Sequence, residues 1–128
     1  MPEQAAAVIY AKDVARVSAF YASVAGLALT HAEPGHASLE SSALQLFIVA
    51  MNAGIAASVQ IANPPVPREN TALKFIFPVA SLQAARALAA QGGGALKPPQ
   101  AEWAFNGWRH CDGHDPEGNV FQLRERAA

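Results

Sequence analysis

Apolar residues along this chain fall into short runs of two different periods, and the same order of runs occurs twice. Ala5 to Ala11 (AAAVIYA) is an apolar run closed by Lys12-Asp13, which predicts a buried strand. From Asp13 to Gly26 (DVARVSAFYASVAG), Val14, Val17, Tyr21 and Val24 share one helical face with Phe20 flanking it. Asp13 stands where an N-cap is needed and Gly26 where a helix stops. Strands are then expected at Leu27 to His31 and His36 to Glu40 around a Glu33-Pro34-Gly35 turn, with a longer one at Ser42 to Met51. Ala56 to Ala62 reads as an edge strand or connection.

Asn63 to Thr71 (NPPVPRENT) breaks the pattern with Pro64, Pro65 and Pro67 and predicts a linker. The order then restarts. Ala72 to Val79 (ALKFIFPV) predicts a strand, Ser81 a cap, and Leu82, Ala85, Leu88 and Ala89 a helix face stopped by Gly92-Gly93-Gly94. Laying Ala11-Lys12-Asp13-Val14 on Val79-Ala80-Ser81-Leu82 puts strand end on strand end and cap on cap, so the chain contains an internal repeat. Ala95 to Lys97, a Pro98-Pro99 break, a strand-like stretch from Glu102 to Asp112 around Gly107 and a terminal strand complete the second half. The expected fold class is α+β: one domain over residues 1–128, made of two βαβββ repeats at about 1–62 and 72–128 with a linker at 63–71.

Composition narrows the functions. The chain has 128 residues, one domain's worth, and a formal net charge of −1 with scattered basic residues, which argues against a nucleic-acid footprint or a membrane-binding basic patch. Glu3 and Lys12-Asp13 interrupt the N-terminal region before a signal peptide can form, and no stretch reaches the apolar length of a membrane span. Cys111 is the single cysteine, which suits a reducing compartment. The expectation is a soluble, cytoplasmic protein with no nucleic-acid or membrane partner.

The most specific stretch is His114-Asp115-Pro116-Glu117-Gly118-Asn119 and the strand after it, Val120 to Arg126. Asp-Pro forces an extended approach, Gly118 supplies a residue free to take positive φ, and the strand then alternates, with Phe121 and Leu123 on one face and Val120, Gln122 and Arg124 on the other. This D-P-E-G-N turn, together with the Asp13-to-Gly26 helix and its Phe20-Tyr21 pair, resembles the vicinal oxygen chelate superfamily of glyoxalase I, extradiol dioxygenases, fosfomycin-modifying enzymes and bleomycin-resistance proteins. The resemblance covers nearly the whole chain. It implies that the halves curl a mixed sheet around a shared cavity, with helices outside.

Enzymes of that superfamily hold a divalent metal through His and Glu side chains on the first and last main strands of each half. Carried onto this sequence, the positions fall on Ala6, Gln45, Lys74 and Gln122. One of these has no donor atom, one is an ammonium and two are neutral amides, which is no set for a transition metal. No metal and no cofactor are therefore expected. His110, Cys111, His114 and Asp115 are close in sequence, but adjacent side chains on a strand end and turn diverge, which predicts an exposed turn with a buried free thiol. His31 and His36 read as surface histidines beside a turn.

The residues expected to line the cavity are Tyr10, Gln45, Phe47, Lys74, Ile76, Gln122 and Arg124, with Val8 and Val120 as core or cavity wall. Lys74, in the middle of an apolar run, must reach solvent, pair with an acid or meet a ligand. Trp103, Phe105 and Trp108 form an aromatic cluster, similar to those that stack on planar antibiotics in metal-free members, and Arg109 stands beside it, placed to pair with an acid or reach the ligand.

The function that follows is a metal-independent, homodimeric binding protein that sequesters a small planar or amphipathic molecule, such as an antibiotic, with no assigned catalytic residue. Bleomycin itself fits poorly: it is cationic and its binders are strongly acidic. A metal-dependent lyase, isomerase or dioxygenase, a metal-free catalyst using Lys74 or Tyr10, and an interaction module with a closed core are the alternatives.

Overall fold

A computed structural model describes residues 3–127; residues 1, 2 and 128, which the expected halves include, lie outside the described residues. The first half runs β1 (Ala5–Ala11), α1 (Val14–Val24), β2 (Ala28–Glu33), β3 (His36–Glu40) and β4 (Leu44–Ala50). After a short α2 (Ala53–Ser58) and the proline-rich segment, the second half runs β5 (Phe75–Pro78), α3 (Leu82–Gln91), β6 (Ala95–Leu96), β7 (Trp103–Phe105), β8 (Trp108–His114) and β9 (Val120–Arg126). The first sheet has the order β1-β4-β3-β2 and the second β5-β9-β8-β6, with β7 also on β8. In each half the first strand lies parallel to the last, as the crossover through the helix requires. The Pro98-Pro99 break splits what would be one strand into β6 and β7, both antiparallel to β8.

Both long helices start and stop where the sequence places the signals. The Asp13 carboxylate accepts from the Arg16 amide, the Ser81 hydroxyl accepts from the Ala84 amide, and Gly26 and Gly93 take positive φ just past the helices. Alternation sends Leu46, Ile48, Leu39, Phe77, Phe121 and Leu123 to the helix side, where they join Val17, Phe20, Tyr21, Val24, Leu82, Ala85 and Ala89 in one core drawn from both halves. Tyr21, on α1, packs its ring against Phe77 and Phe121 at 5.8 Å each, so a first-half helix reaches the second half's sheet.

Several expectations change. Ala56 to Ala62 is not a strand: the Asn52 side chain accepts from the Gly54 amide and opens α2 in an alanine-rich stretch that favours helix. The strand expected over Ala72 to Val79 is only Phe75–Pro78, which leaves Lys74 just ahead of it. As the two repeats imply, the described residues form two sheets, one from each half.

The largest correction concerns the Asp115–Asn119 turn, which is buried rather than exposed: Asp115 is 0% exposed and Glu117 5%. Asp115 accepts from the Tyr21 hydroxyl at 2.8 Å, the Glu117 and Asn119 amides and the Asn119 side chain. Glu117 accepts from the Lys12 amide at 2.9 and 3.0 Å and the Asp13 amide at 2.8 Å, holding the junction of β1 and α1. Gly118 has φ +83°, and a Cβ there would lie 2.3 Å from the Val66 carbonyl, so the linker presses directly on the turn.

Because Glu117 is a buried charged acceptor for two amides of the other half, Glu117→Ala should lower folding stability by roughly 2–3 kcal/mol in urea denaturation, with Glu117→Asp intermediate. A loss too small to measure would mean that the carboxylate does not hold the halves together.

Candidate functional site

A hollow lies where the halves meet. A cavity of about 770 Å³ is bounded by β1 (Val8, Ile9, Tyr10), by Met51, Asn52, Ile55 and Val59 around α2, by Arg68, Asn70, Thr71 and Leu73 ahead of β5, and by Phe75, Val120 and Phe121. Its lining is mainly apolar, with Asn52, Asn70, Thr71, Asn119 and the Tyr10 hydroxyl as polar groups. Arg68 forms part of the wall, its guanidinium donating to the Glu117 carbonyl at 3.0 and 3.3 Å. Burial, then the neighbouring Asp115 carboxylate, pushes the Tyr21 hydroxyl well above its ordinary pKa, so it stays a hydrogen-bond donor at the cavity floor.

The faces of the two sheets turned away from the helices carry most of the other expected residues. Val8 and Tyr10 stand opposite Phe47 and Val49, and Gln45 opposite Ala6. The Gln45 amide donates to Glu40 at 3.2 Å. His36 is half-buried, 3.0 Å from the Ser38 hydroxyl and in ring contact with His31 and Phe47, so it is not a plain surface histidine. On the second sheet, Lys74 meets Asp112 at 3.2 Å; the Gln122 amide donates to Asp112 at 3.0 Å, and its oxygen faces His110 Nδ1 at 3.0 Å. Ile76 lies opposite Gln122.

The expected aromatic cluster divides. Trp103 stacks on His110, with centroids 5.4 Å apart and planes 12° from parallel. Trp108 instead holds the guanidinium groups of Arg124 and Arg126 at 4.1 and 4.0 Å from its ring, so cations already occupy its π surface. Arg109 leaves the cluster: β8 alternation puts it on the side of the buried Cys111, where it pairs with Glu102 at 3.7 Å. Of the expected lining residues, Tyr10 borders the large cavity, along with Val8 and Val120. Gln45, Phe47, Ile76, Gln122, Arg124, Trp103 and Trp108 occupy the open sheet faces beside it, and Lys74 borders a smaller hollow of about 460 Å³ with Asp112 and His114.

The donor set does not fit a divalent transition metal. Ala6 offers nothing, Lys74 is an ammonium held by Asp112, and Gln45 and Gln122 offer only neutral amide oxygens, that of Gln122 already facing His110. Among the described residues no three His, Cys, Asp or Glu side chains group into a metal site. His110, Cys111, His114 and Asp115 diverge, with Cys111 turned to the helices and Asp115 into the turn.

Sequence reasoning missed two parts of this site. The α2 and linker wall was read as connection, although the Asn52 cap signals a helix there. The Lys74–Asp112–Gln122–His110 chain follows from pairing Trp108–His114 with Val120–Arg126, which sets Asp112 beside Gln122 and His110 beside Arg124.

Comparison with known proteins agrees with this architecture. A family model described as "Glyoxalase-like domain" matches residues 6–124. The chain belongs to the glyoxalase-like family. None of the curated proteins matches it. Among solved structures, a glyoxalase/bleomycin resistance protein/dioxygenase family enzyme from Burkholderia phytofirmans superposes with a TM-score of 0.70 at 20% identity, covering 96% of this chain and 98% of that one. TioX from a Micromonospora species gives 0.66 at 14% identity, covering 98% and 100%. TnmS3, an antibiotic binding protein from a Streptomyces species, gives 0.64 at 17%, covering 99% and 98%. At these identities the likeness is one of fold. No helix among the described residues is long and apolar enough to cross a membrane.

His114, at the edge of the smaller hollow, has its pKa lowered from the ordinary 6.5, chiefly by burial. The folded chain favours its neutral form, so its contribution to stability is complete above about 6.5 and lost as pH falls through the depressed folded value. Midpoints from urea denaturation should decline over that range, and His114→Gln should flatten the decline. An unchanged slope in the variant would assign the pH dependence to other groups.

Proposed function

We propose that this glyoxalase-like protein is a metal-independent binding protein that sequesters a small planar molecule and works as a homodimer. The observation that carries the reading is the state of the four positions where enzymes of the superfamily hold metal: Ala6, Gln45, Lys74 and Gln122 supply no ligand set, and the three polar side chains are committed to Glu40, Asp112 and His110. A cavity of about 770 Å³ is the size of a small-molecule site, and its apolar lining with a few amides suits binding more than bond breaking. TnmS3, similar in fold, is described as an antibiotic binding protein, which supports the same use here.

Charge on the open face of the second sheet supports a neutral or anionic ligand over a cationic one. Lys74, Arg124 and Arg126 stand there against Asp112, and Lys74 is the acid-paired lysine rather than a free catalytic amine. A second copy is supported by the apolar groups this face leaves uncovered, with Tyr10 62% exposed and Val8, Ile76 and Phe105 similarly open. A buried thiol at Cys111 suits a reducing, cytoplasmic setting.

Protein purified without chelator should carry no stoichiometric Ni, Zn or Mn by elemental analysis. Adding those ions should leave the melting temperature unchanged, while a panel of planar antibiotics should quench the fluorescence of Trp103 and Trp108. A full equivalent of bound metal would overturn the metal-independent reading and direct assays to lyase and dioxygenase chemistry. Sedimentation at micromolar concentration should give twice the 13.4 kDa chain mass; a monomer there would remove the homodimer.

A further inference from the structure

His110 is 5% exposed, yet its Nε2 has no hydrogen-bond partner, and the Nε of Arg124 is likewise buried and unpartnered. The two residues are direct partners across the β8–β9 ladder, so their side chains stand next to each other on one face. Leaving two such groups unpaired is costly, and their juxtaposition asks for an explanation.

The protonation pattern of His110 can be derived from its neighbours. Asp112, fixed by Lys74, has only acceptor oxygens, so the Gln122 group 3.0 Å from it must be the NH₂. The Gln122 oxygen therefore faces His110 Nδ1 at 3.0 Å, and Nδ1 must carry the hydrogen. Neutral His110 is thereby held in the Nδ1–H tautomer, with a lone pair on Nε2. Beside it, Arg124 Nε–H is a donor. The two neighbouring residues thus present one acceptor and one donor, with Trp103 stacked on the imidazole and Phe105, 68% exposed, tilted against it.

We propose that His110 Nε2 and Arg124 Nε form the anchoring point for a planar ligand bearing a cis-amide edge, such as a lactam or cyclic imide. Its N–H donates to His110 Nε2 and its adjacent carbonyl accepts from Arg124 Nε. Phe105 moves aside to admit it, and Trp103 supplies a stacking surface. The Lys74–Asp112–Gln122 chain acts as a positioning relay that sets the tautomer. This inference rests on the binding-protein reading and adds the ligand's chemical class to it.

Two measurements test it. In the free protein, nitrogen NMR of the imidazoles should show His110 as the Nδ1–H tautomer; the Nε2–H form would overturn the proposal. Calorimetry should then compare 2-quinolone, a fused lactam, with N-methyl-2-quinolone, which lacks the donor. Wild-type protein should bind 2-quinolone at least about tenfold more tightly than the methylated analogue, and His110→Phe should abolish that preference. Because the analogue comparison uses unaltered protein, it stands even if the variant folds poorly. No binding of 2-quinolone, or equal affinity for the two quinolones, overturns the anchor and leaves the His110–Arg124 pair as a water-bridged structural contact. If planar antibiotics still quench tryptophan fluorescence in that case, the binding-protein reading survives alone; if they do not, both fail.

Discussion

The fold depends on one turn of the second half acting inside the first. Glu117 receives the amides of Lys12 and Asp13, and Asp115 receives the hydroxyl of Tyr21. These are charge-assisted hydrogen bonds in a place with little water, where the carboxylates would otherwise carry the full cost of burial. They fix where β1 ends and where α1 begins. With α1 held, Phe20 and Tyr21 reach Phe77 and Phe121, and the two halves share a core instead of merely adjoining.

From that tie the position of the cavity follows. The helices cover one face of each sheet and leave the other open, while α2 and the linker close the space beside β1 and β5. Internal repetition supplies the symmetry, and the departures from it give the halves different characters. On the first sheet the open face holds two separate polar pairs, Gln45 with Glu40 and His36 with Ser38, and Phe47 packs against His36. The second has a continuous hydrogen-bonded chain from Lys74 to His110 and carries both tryptophans. Charge and aromatic surface are therefore concentrated on one wall.

Much of the fold was legible in the sequence, because periodicity and caps are local signals. Asp13, Gly26, Ser81 and the glycine run after Gln91 mark both helices, and the alternation of Phe121 and Leu123 marks the buried face of β9. What was not legible arises from distant partners. An acidic turn reads as solvent-exposed until a tyrosine hydroxyl and two amides from the other half are known to cover it. Ala53–Ser58 has too few residues for periodicity to separate helix from strand, so only the Asn52 cap speaks there. In the site, the metal ligand positions could be mapped and their failure seen, but the pairing of Lys74 with Asp112 and the occupation of Trp108 by two arginines depend on cross-strand register.

The tie through Glu117 also bears on how a molecule gets in and out. Prising the halves apart would strip two buried carboxylates of their donors and break the aromatic packing around Tyr21 together. The 51–74 segment is held by other contacts: Lys12 Nζ on the Val59 carbonyl, Arg68 and Val66 against the turn, and the Glu69–Lys97 and Lys74–Asp112 ion pairs. Those contacts lie outside the shared core, so displacing that segment would uncover the cavity without separating the two sheets.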